Sequence, residues 1–121
     1  MLDVELVKEN SLAILKPHGA LSEDDFKYAS SVIDPFIDKE THLKAIVIYL
    51  KSFPGWDSFS GLISHLKFIN KHHKKVSYVV FVTDSKLVDI VEPITKHFVN
   101  AKVKTFAFSE LESAKEWIRE H

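Results

Sequence analysis

Residues 43–50 read LKAIVIYL, and this short apolar stretch decides the fold class. A near-continuous run of aliphatic and β-branched residues is typical of a parallel strand that other elements cover on both faces. Residues 76–82, VSYVVFV, repeat the pattern. Residues 51–75 between the two runs are numerous enough for a helical crossover. We therefore expect two interior strands of one sheet, with residues 43–50 as its central strand.

Towards the N-terminus, residues 4–7 and 11–16 are short strand candidates separated by residues 8–10. This spacing predicts an antiparallel hairpin whose first strand lies at the edge of the sheet. Ser22 followed by Asp25 resembles a capping box, which predicts the start of a helix. The side chains expected on its inner face are those of Phe26, Ala29, Ile33 and Ile37.

Towards the C-terminus, Ser85 is predicted to cap a helix over residues 86–98, which Pro93 would kink. Residues 103–108 are predicted to form the last strand. Ser109 with Glu112 resembles a second capping box. The final helix is expected to bury Leu111, Ala114 and Ile118.

The predicted order of elements is β-β-α-β-α-β-α-β-α, which describes the whole chain as a single domain over residues 1–121. Because buried strands alternate with helices, the fold class is α/β, with a mostly parallel mixed sheet of about five strands and helices on both faces. Ligands of such sheets gather at the carboxyl ends of the strands. Here those ends are residues 17–22, 51–57, 83–86 and 108–110.

Composition excludes several classes of function. Sixteen Lys and Arg residues balance 17 Asp and Glu residues, so no net positive field attracts nucleic acid. The absence of cysteine excludes disulfides, thiolate metal sites and thiol catalysis. We expect a cytoplasmic protein, because no signal peptide is visible, and no run approaches the ~20 apolar residues of a spanning helix. Any contact with the inner membrane would be peripheral.

Residues 51–75, KSFPGWDSFSGLISHLKFINKHHKK, concentrate aromatic side chains around one predicted helix that Asp57 would cap. One stripe of this helix suits packing on the sheet, whereas Phe68 falls on the opposite side. Phe53 and Trp56 flank a Pro-Gly turn and need apolar surroundings. We expect either a hydrophobic cleft between this helix and the 86–98 helix, or aromatic side chains that plug that gap. The predicted ligand contacts are Phe53, Trp56, Asp57, Phe59, Ile63, Thr83, Leu87 and Val91.

The end of the same helix is basic, and two interpretations stay open. Cations at a helix C-terminus complement its dipole, which is the simpler account. Alternatively, a basic helix end beside exposed aromatic side chains contacts an anionic membrane surface. The membrane-contacting residues would be Trp56, Phe68, Lys67, Lys71 and Lys74.

No metal site, organic cofactor or catalytic centre is predicted. His65 and His72 would stand about 10 Å apart along a helix, and His72 and His73 point about 100° apart, so neither pair shares an ion. His18 could act as an acid or base with Asp84 or Asp57, but no motif brings these side chains together.

Several motifs together resemble the SpoIIAA-like family of STAS-type proteins. They are FPGWDSFSGLISHLKFINKHHKK, then VVFVTDSKL, EPITKHF and AFSELESAKEWI, and they span nearly the whole chain. The resemblance implies a small cytoplasmic bacterial protein with a mixed sheet and no established enzymatic activity. It also implies a family suspected of binding non-polar ligands and associating with membranes.

The same resemblance touches on regulation. In the anti-sigma-factor antagonists of this fold, a serine in a Ser-Gly-Leu context at the start of a crossover helix is phosphorylated by a partner kinase. Ser60-Gly61-Leu62 resembles that motif, although Phe59 and the FPGW loop replace its smaller polar surroundings. Ser60, or Ser58 nearby, is thus a candidate phosphorylation site, and an ordinary first-turn helix serine is the alternative.

Two functional hypotheses follow from the sequence. The first is a non-enzymatic binding protein for a non-polar, lipid-like ligand with peripheral membrane contact. The second is a regulatory protein-interaction module of anti-sigma-antagonist type, switched by serine phosphorylation. In the second, the exposed aromatic patch docks a partner helix or a second copy of the chain as a homodimer.

Overall fold

The computed structural model describes residues 2–18, 22–40, 43–51, 76–84 and 102–121. Its strands are β1 (Leu2–Val7), β2 (Leu12–Pro17), β3 (Leu43–Tyr49), β4 (Val76–Val82) and β5 (Lys102–Phe106). Its helices are α1 (Glu23–Glu40) and α2 (Leu111–Glu120), and short 3-10 turns occupy Lys8–Asn10 and Phe108–Glu110. The predicted helices over residues 57–73 and 86–98 lie outside the described residues.

The five strands form one mixed sheet in the order β1-β2-β3-β4-β5. β1 runs antiparallel to β2, and the remaining neighbours are parallel. Ile46 of β3 aligns with Ala13 of β2 on one side and with Val79 of β4 on the other. The predicted α/β class, the N-terminal hairpin, the edge position of its first strand and the central position of β3 are confirmed.

The hairpin turn is tied to the start of β3. Ser11 adopts a left-handed conformation with φ of 51°, and its amide donates to the Lys8 carbonyl at 3.3 Å. The Ser11 carbonyl accepts hydrogen bonds from the amides of Lys44 at 2.8 Å and Ala45 at 3.4 Å. These bonds satisfy backbone groups at the beginning of β3 and hold the hairpin in register with the central strand.

The two faces of the sheet are both buried, because successive side chains of a strand point to opposite faces. α2 covers one face, where Ala114 and Ile118 pack against alternate residues of the three inner strands. Those strand residues are Leu12, Ile14, Ala45, Val47, Val80 and Val82. The intervening residues are at most 1% exposed: Ala13, Leu15, Ile46, Ile48, Val79 and Phe81.

α1 contacts β1 and β3 and buries Ala29 and Ile33, as predicted. Its start is the predicted capping box. The Ser22 amide donates to Asp25 Oδ2 at 2.9 Å, and the Asp25 amide donates to Ser22 Oγ at 3.4 Å. The side chains of Phe26 and Ile37 lie outside the described part of the structure.

α2 buries Ala114 and Ile118 as predicted, and Leu111 is partly buried in the same cluster. The predicted capping box of Ser109 and Glu112 is wrong. The residue before α2 is Glu110, which makes no side-chain cap to the helix. Instead, the Glu110 carboxylate turns back and accepts a hydrogen bond from the Ala107 amide at 2.8 Å, which closes the 3-10 turn before the helix.

Aromatic side chains fasten α2 to β4 and β5. Trp117 meets Tyr78 edge to face, with ring centroids 5.0 Å apart, and Phe106 at 6.3 Å. The Lys104 ammonium lies 5.8 Å from the centroids of both the Phe106 and Trp117 rings, and His121 stacks on Trp117 at 4.5 Å. Such contacts add to the free energy gained from burying apolar area.

Candidate functional site

A cleft opens at the carboxyl ends of β2 and β3, the edge of the sheet where ligands were expected. Its volume is about 410 Å³, within the range of small-ligand and side-chain sites. The residues that line it are Lys16, Pro17, His18, Tyr49, Leu50, Lys51 and Phe108. We refer to this feature as the edge cleft.

Three segments build the edge cleft. Lys16 and Pro17 are the last residues of β2, and His18 follows them. Tyr49 ends β3, and Leu50 and Lys51 continue from it. The Leu50 amide donates to the Val82 carbonyl at 3.2 Å, so the chain leaving β3 stays bonded to β4. The cleft therefore stands on strand ends that the sheet holds in place.

The apolar wall of the edge cleft is a stacked pair of rings. Tyr49 and Phe108 lie 4.6 Å apart between centroids at an angle of 8°, and both are half-buried. The Phe108 amide donates to Asp84 Oδ1 at 3.0 Å, which fixes the 3-10 turn that carries the phenyl ring. The Thr83 amide also bonds to the Phe106 carbonyl at 3.0 Å. Residues that directly follow β4 thereby position the Phe108 ring, which belongs to the segment after β5.

A His–Asp hydrogen bond and a Lys–Glu ion pair flank the edge cleft on its β1 side. His18 Nε2 lies 2.9 Å from Asp3 Oδ2, and Lys16 Nζ lies 3.4 Å from Glu5 Oε2. Each pair crosses the antiparallel hairpin, in which Asp3 aligns with Lys16. The side chains of His18 and Asp3 are 57% and 56% exposed, so this pair contributes little to stability. His18 thus meets Asp3, whereas Asp84, the partner considered from the sequence, bonds to Phe108.

Thr83 is the one member of the predicted ligand set that the structure describes. It is 7% exposed, and its hydroxyl donates to the Lys51 carbonyl at 3.3 Å. The Asp84 amide donates to the same carbonyl at 3.3 Å. These bonds fix the path of the chain at Lys51, and Thr83 does not line the edge cleft.

The other predicted site residues lie outside the described residues, and their roles stay predictions. For the ligand cleft they are Phe53, Trp56, Asp57, Phe59, Ile63, Leu87 and Val91. For the membrane surface they are Trp56, Phe68, Lys67, Lys71 and Lys74, and for phosphorylation Ser58 and Ser60.

The sequence predicted this edge of the sheet but not three of the residues that line the cleft. Pro17, His18, Lys51 and Phe108 lie within the expected strand ends. Lys16, Tyr49 and Leu50 do not, because they belong to the predicted strands over residues 11–16 and 43–50. A lysine and a tyrosine at the ends of otherwise apolar strands were the available signal.

A second, more polar cavity of about 340 Å³ lies at the opposite edge, lined by Glu9, Asn10, Ser11, Lys44 and Arg119. Lys44 Nζ donates there to the Arg119 carbonyl at 3.5 Å, near the end of α2. A cation at a helix C-terminus is a stabilising arrangement that needs no ligand. The contact between Lys44 and the end of α2 therefore explains the polar character of this cavity without a ligand.

Two further properties concern the described residues. Within residues 2–18, 22–40, 43–51, 76–84 and 102–121, no three metal-binding side chains lie close enough to share an ion. Neither described helix combines the length and hydrophobicity that would let it cross a bilayer.

Comparison with known proteins gave one match. A family model described as SpoIIAA-like covers residues 12–119 of the chain. No curated protein matches the chain, and no solved structure matches it.

Proposed function

Because the chain belongs to the SpoIIAA-like family, we propose that it is a regulatory binding module that docks a partner protein at the carboxyl edge of its sheet. The observation that supports this most is the edge cleft, which combines cationic side chains with a stacked aromatic pair. Aromatic and cationic side chains beside each other are common at the centre of protein interfaces. The cleft also stands on fixed strand ends, which keeps a recognition surface preorganised.

The proposed function is binding without catalysis, because SpoIIAA-like proteins are generally not enzymes. The His18–Asp3 pair is consistent with this view. Both side chains are more than half exposed, and a polar contact of this kind is ordinary on the surface of a hairpin.

Serine phosphorylation is the proposed switch. Ser58 and Ser60 follow Lys51 by seven and nine residues, in the segment that continues from the edge cleft. A phosphate adds nearly two negative charges, so it would alter the charge of a surface that carries Lys16 and Lys51. Phosphorylation would then change the affinity for the partner without changing the fold.

Site-specific photo-crosslinking tests the docking surface. A photoreactive phenylalanine analogue replaces Lys51 in one variant and Lys27, an exposed residue of α1, in the control. We expect a reproducible adduct with one protein in cells from position 51 and none from position 27. The captured protein is then purified and titrated with the chain.

Charge reversal completes the test. Lys16→Glu with Lys51→Glu should weaken the purified complex at least about tenfold, since like charges across an interface are repulsive. Lys27→Glu with Lys115→Glu should leave its affinity within about twofold. Equal adducts from both positions, or a complex that is indifferent to the charge reversal at the cleft, would refute the proposal.

A non-polar ligand with peripheral membrane contact is the second candidate function. The feature that favours it is the apolar part of the edge cleft, formed by Pro17, Leu50 and Phe108. Trp56 provides the test, because the other tryptophan, Trp117, is packed on β4 and β5. Titration with decanoate or with anionic vesicles should shift the Trp56 emission, and Phe68→Ala, which keeps this fluorophore, should weaken the binding that the shift reports. An emission spectrum that neither additive changes would remove this candidate.

A further inference from the structure

Four side chains that line the edge cleft can each donate a hydrogen bond. Lys16 and Lys51 contribute ammonium groups, His18 an imidazole and Tyr49 a phenolic hydroxyl. Within the described part of the chain, the Lys51 ammonium and the Tyr49 hydroxyl have no hydrogen-bond or ion-pair partner. The described residues of the lining include no carboxylate.

Four acceptors near the edge cleft already have partners within the protein. The Lys51 carbonyl accepts hydrogen bonds from Thr83 Oγ1 and from the Asp84 amide. The Asp84 carboxylate accepts from the Phe108 amide. Asp3 and Glu5 face His18 and Lys16 from the neighbouring strand. The hydrogen-bond donors of the cleft therefore remain available to a ligand. A carboxylate complements them, because it only accepts hydrogen bonds.

The stacked rings add an apolar requirement. Tyr49 and Phe108 are half-buried, and the exposed part of the pair lies beside Leu50 and Pro17. A ligand that reaches the ammonium groups therefore also lies against aromatic surface. A volume of about 410 Å³ holds one or two side chains.

We propose that the edge cleft binds an acidic segment of the partner protein, in which a carboxylate side chain stands next to an aromatic one. This inference rests on the proposed function and names the chemistry that the docking surface recognises. Charge complementarity selects this occupant, since the described lining contains two lysines and no acidic residue. The carboxylate accepts from Lys51 and Tyr49, and the aromatic side chain packs against Phe108.

Short peptides test this directly. Acetyl-Glu-Phe-Asp-amide and its neutral counterpart acetyl-Gln-Phe-Asn-amide are titrated into the isotope-labelled chain, and amide resonances are followed by NMR. We expect the acidic peptide to shift the signals of Lys16, His18, Lys51 and Phe108, and the neutral one to bind at least about tenfold more weakly.

Matched variants assign the effect to the cleft. Lys51→Gln should weaken binding of the acidic peptide about five- to tenfold, Tyr49→Phe should weaken it less, and Lys27→Gln should leave it unchanged. Phe108→Leu keeps an apolar side chain while removing the ring, so it tests stacking without emptying the site. Melting curves of each variant show that the fold is retained.

Three outcomes would overturn the inference. They are equal binding of the acidic and neutral peptides, shifts confined to other parts of the sheet, and binding of decanoate or benzoate at least as tight as that of the acidic peptide. The last would assign the cleft to a lipid-derived or small-molecule acid. A photo-crosslinked partner that persists while the peptides fail would leave the docking function standing and reject only this chemistry.

Discussion

Asp25 shows how a single side chain ties the start of α1 to solution pH. The backbone hydrogen bond from Ser22 lowers the pKa of the Asp25 carboxyl below its ordinary value, and the Ser22 hydroxyl adds to the effect. The folded state therefore favours the ionised carboxylate. Its contribution to stability is present above the pKa of the unfolded chain and disappears as the pH falls through the folded pKa.

Asp25→Asn tests this linkage. At pH 7 we expect the variant to be less stable than the wild type in urea melts, because it loses the ionised acceptor and a favourable charge at a helix N-terminus. At a low pH, below the folded pKa of Asp25, the two proteins should have the same stability, since the wild-type carboxyl is then protonated. Asp24→Asn, at the neighbouring exposed position, is the control, because it removes one negative charge and keeps the hydrogen bonds between Asp25 and Ser22. A stability difference that is identical at both pH values would contradict the assignment.

His18 marks the limit of sequence reasoning about single residues. Asp84 and Asp57 were the partners considered, because they follow strands at the same edge. Among the described residues, His18 contacts Asp3, fifteen residues away along the chain and opposite β2 in the hairpin. Asp57 lies outside the described residues. That contact depends on the hairpin register, in which Asp3 aligns with Lys16, and register is a property of the assembled strands.

At the scale of elements, α2 is held by a few apolar side chains, of which Ile118 is fully buried. Ile118→Ala should lower the free energy of unfolding by about 2–5 kcal/mol, and Ile118→Val by about 0.5–1.5 kcal/mol. Denaturant melts measure both changes. Glu120→Ala, on an exposed position of the same helix, should stay within about 0.5 kcal/mol of the wild type. A loss below about 1 kcal/mol for Ile118→Ala would mean that α2 does not carry this face of the core.

The interior strands were predictable from the sequence, whereas the ends of elements were less so. Residues 43–50 and 76–82 are almost continuously apolar, which is typical of strands that are buried on both faces of a sheet. The last strand was predicted over residues 103–108 but ends at Phe106. Phe108 leaves the sheet because its amide bonds to Asp84, a contact between segments distant in sequence. The predicted cap at Ser109 failed because Glu110 forms a tighter local bond to Ala107.

At the scale of the whole molecule, the sheet ends at β5 among the described strands, and this edge bears lysines. Lys102 and Lys104 are exposed, and charged side chains on an edge strand discourage pairing with another chain. Lys102→Val with Lys104→Val should therefore produce a species of doubled mass whose share grows with protein concentration, measured by light scattering. Lys8→Val with Lys27→Val, which adds the same apolar area elsewhere, should not. Unchanged mass for the first variant would show that the lysines do not protect this edge.

The order of the strands also determines how the sheet can assemble while the chain is being synthesised. Every strand pairs with the strand synthesised before it, so no later segment has to insert between two earlier ones. The sheet can grow at one edge during synthesis, as domains generally fold from the N-terminus. The cover for one face arrives last, however, because α2 is made after all five strands. Until then Val47, Val80 and their neighbours lack the cover that α2 provides, and transiently exposed apolar surface makes a folding chain prone to aggregation.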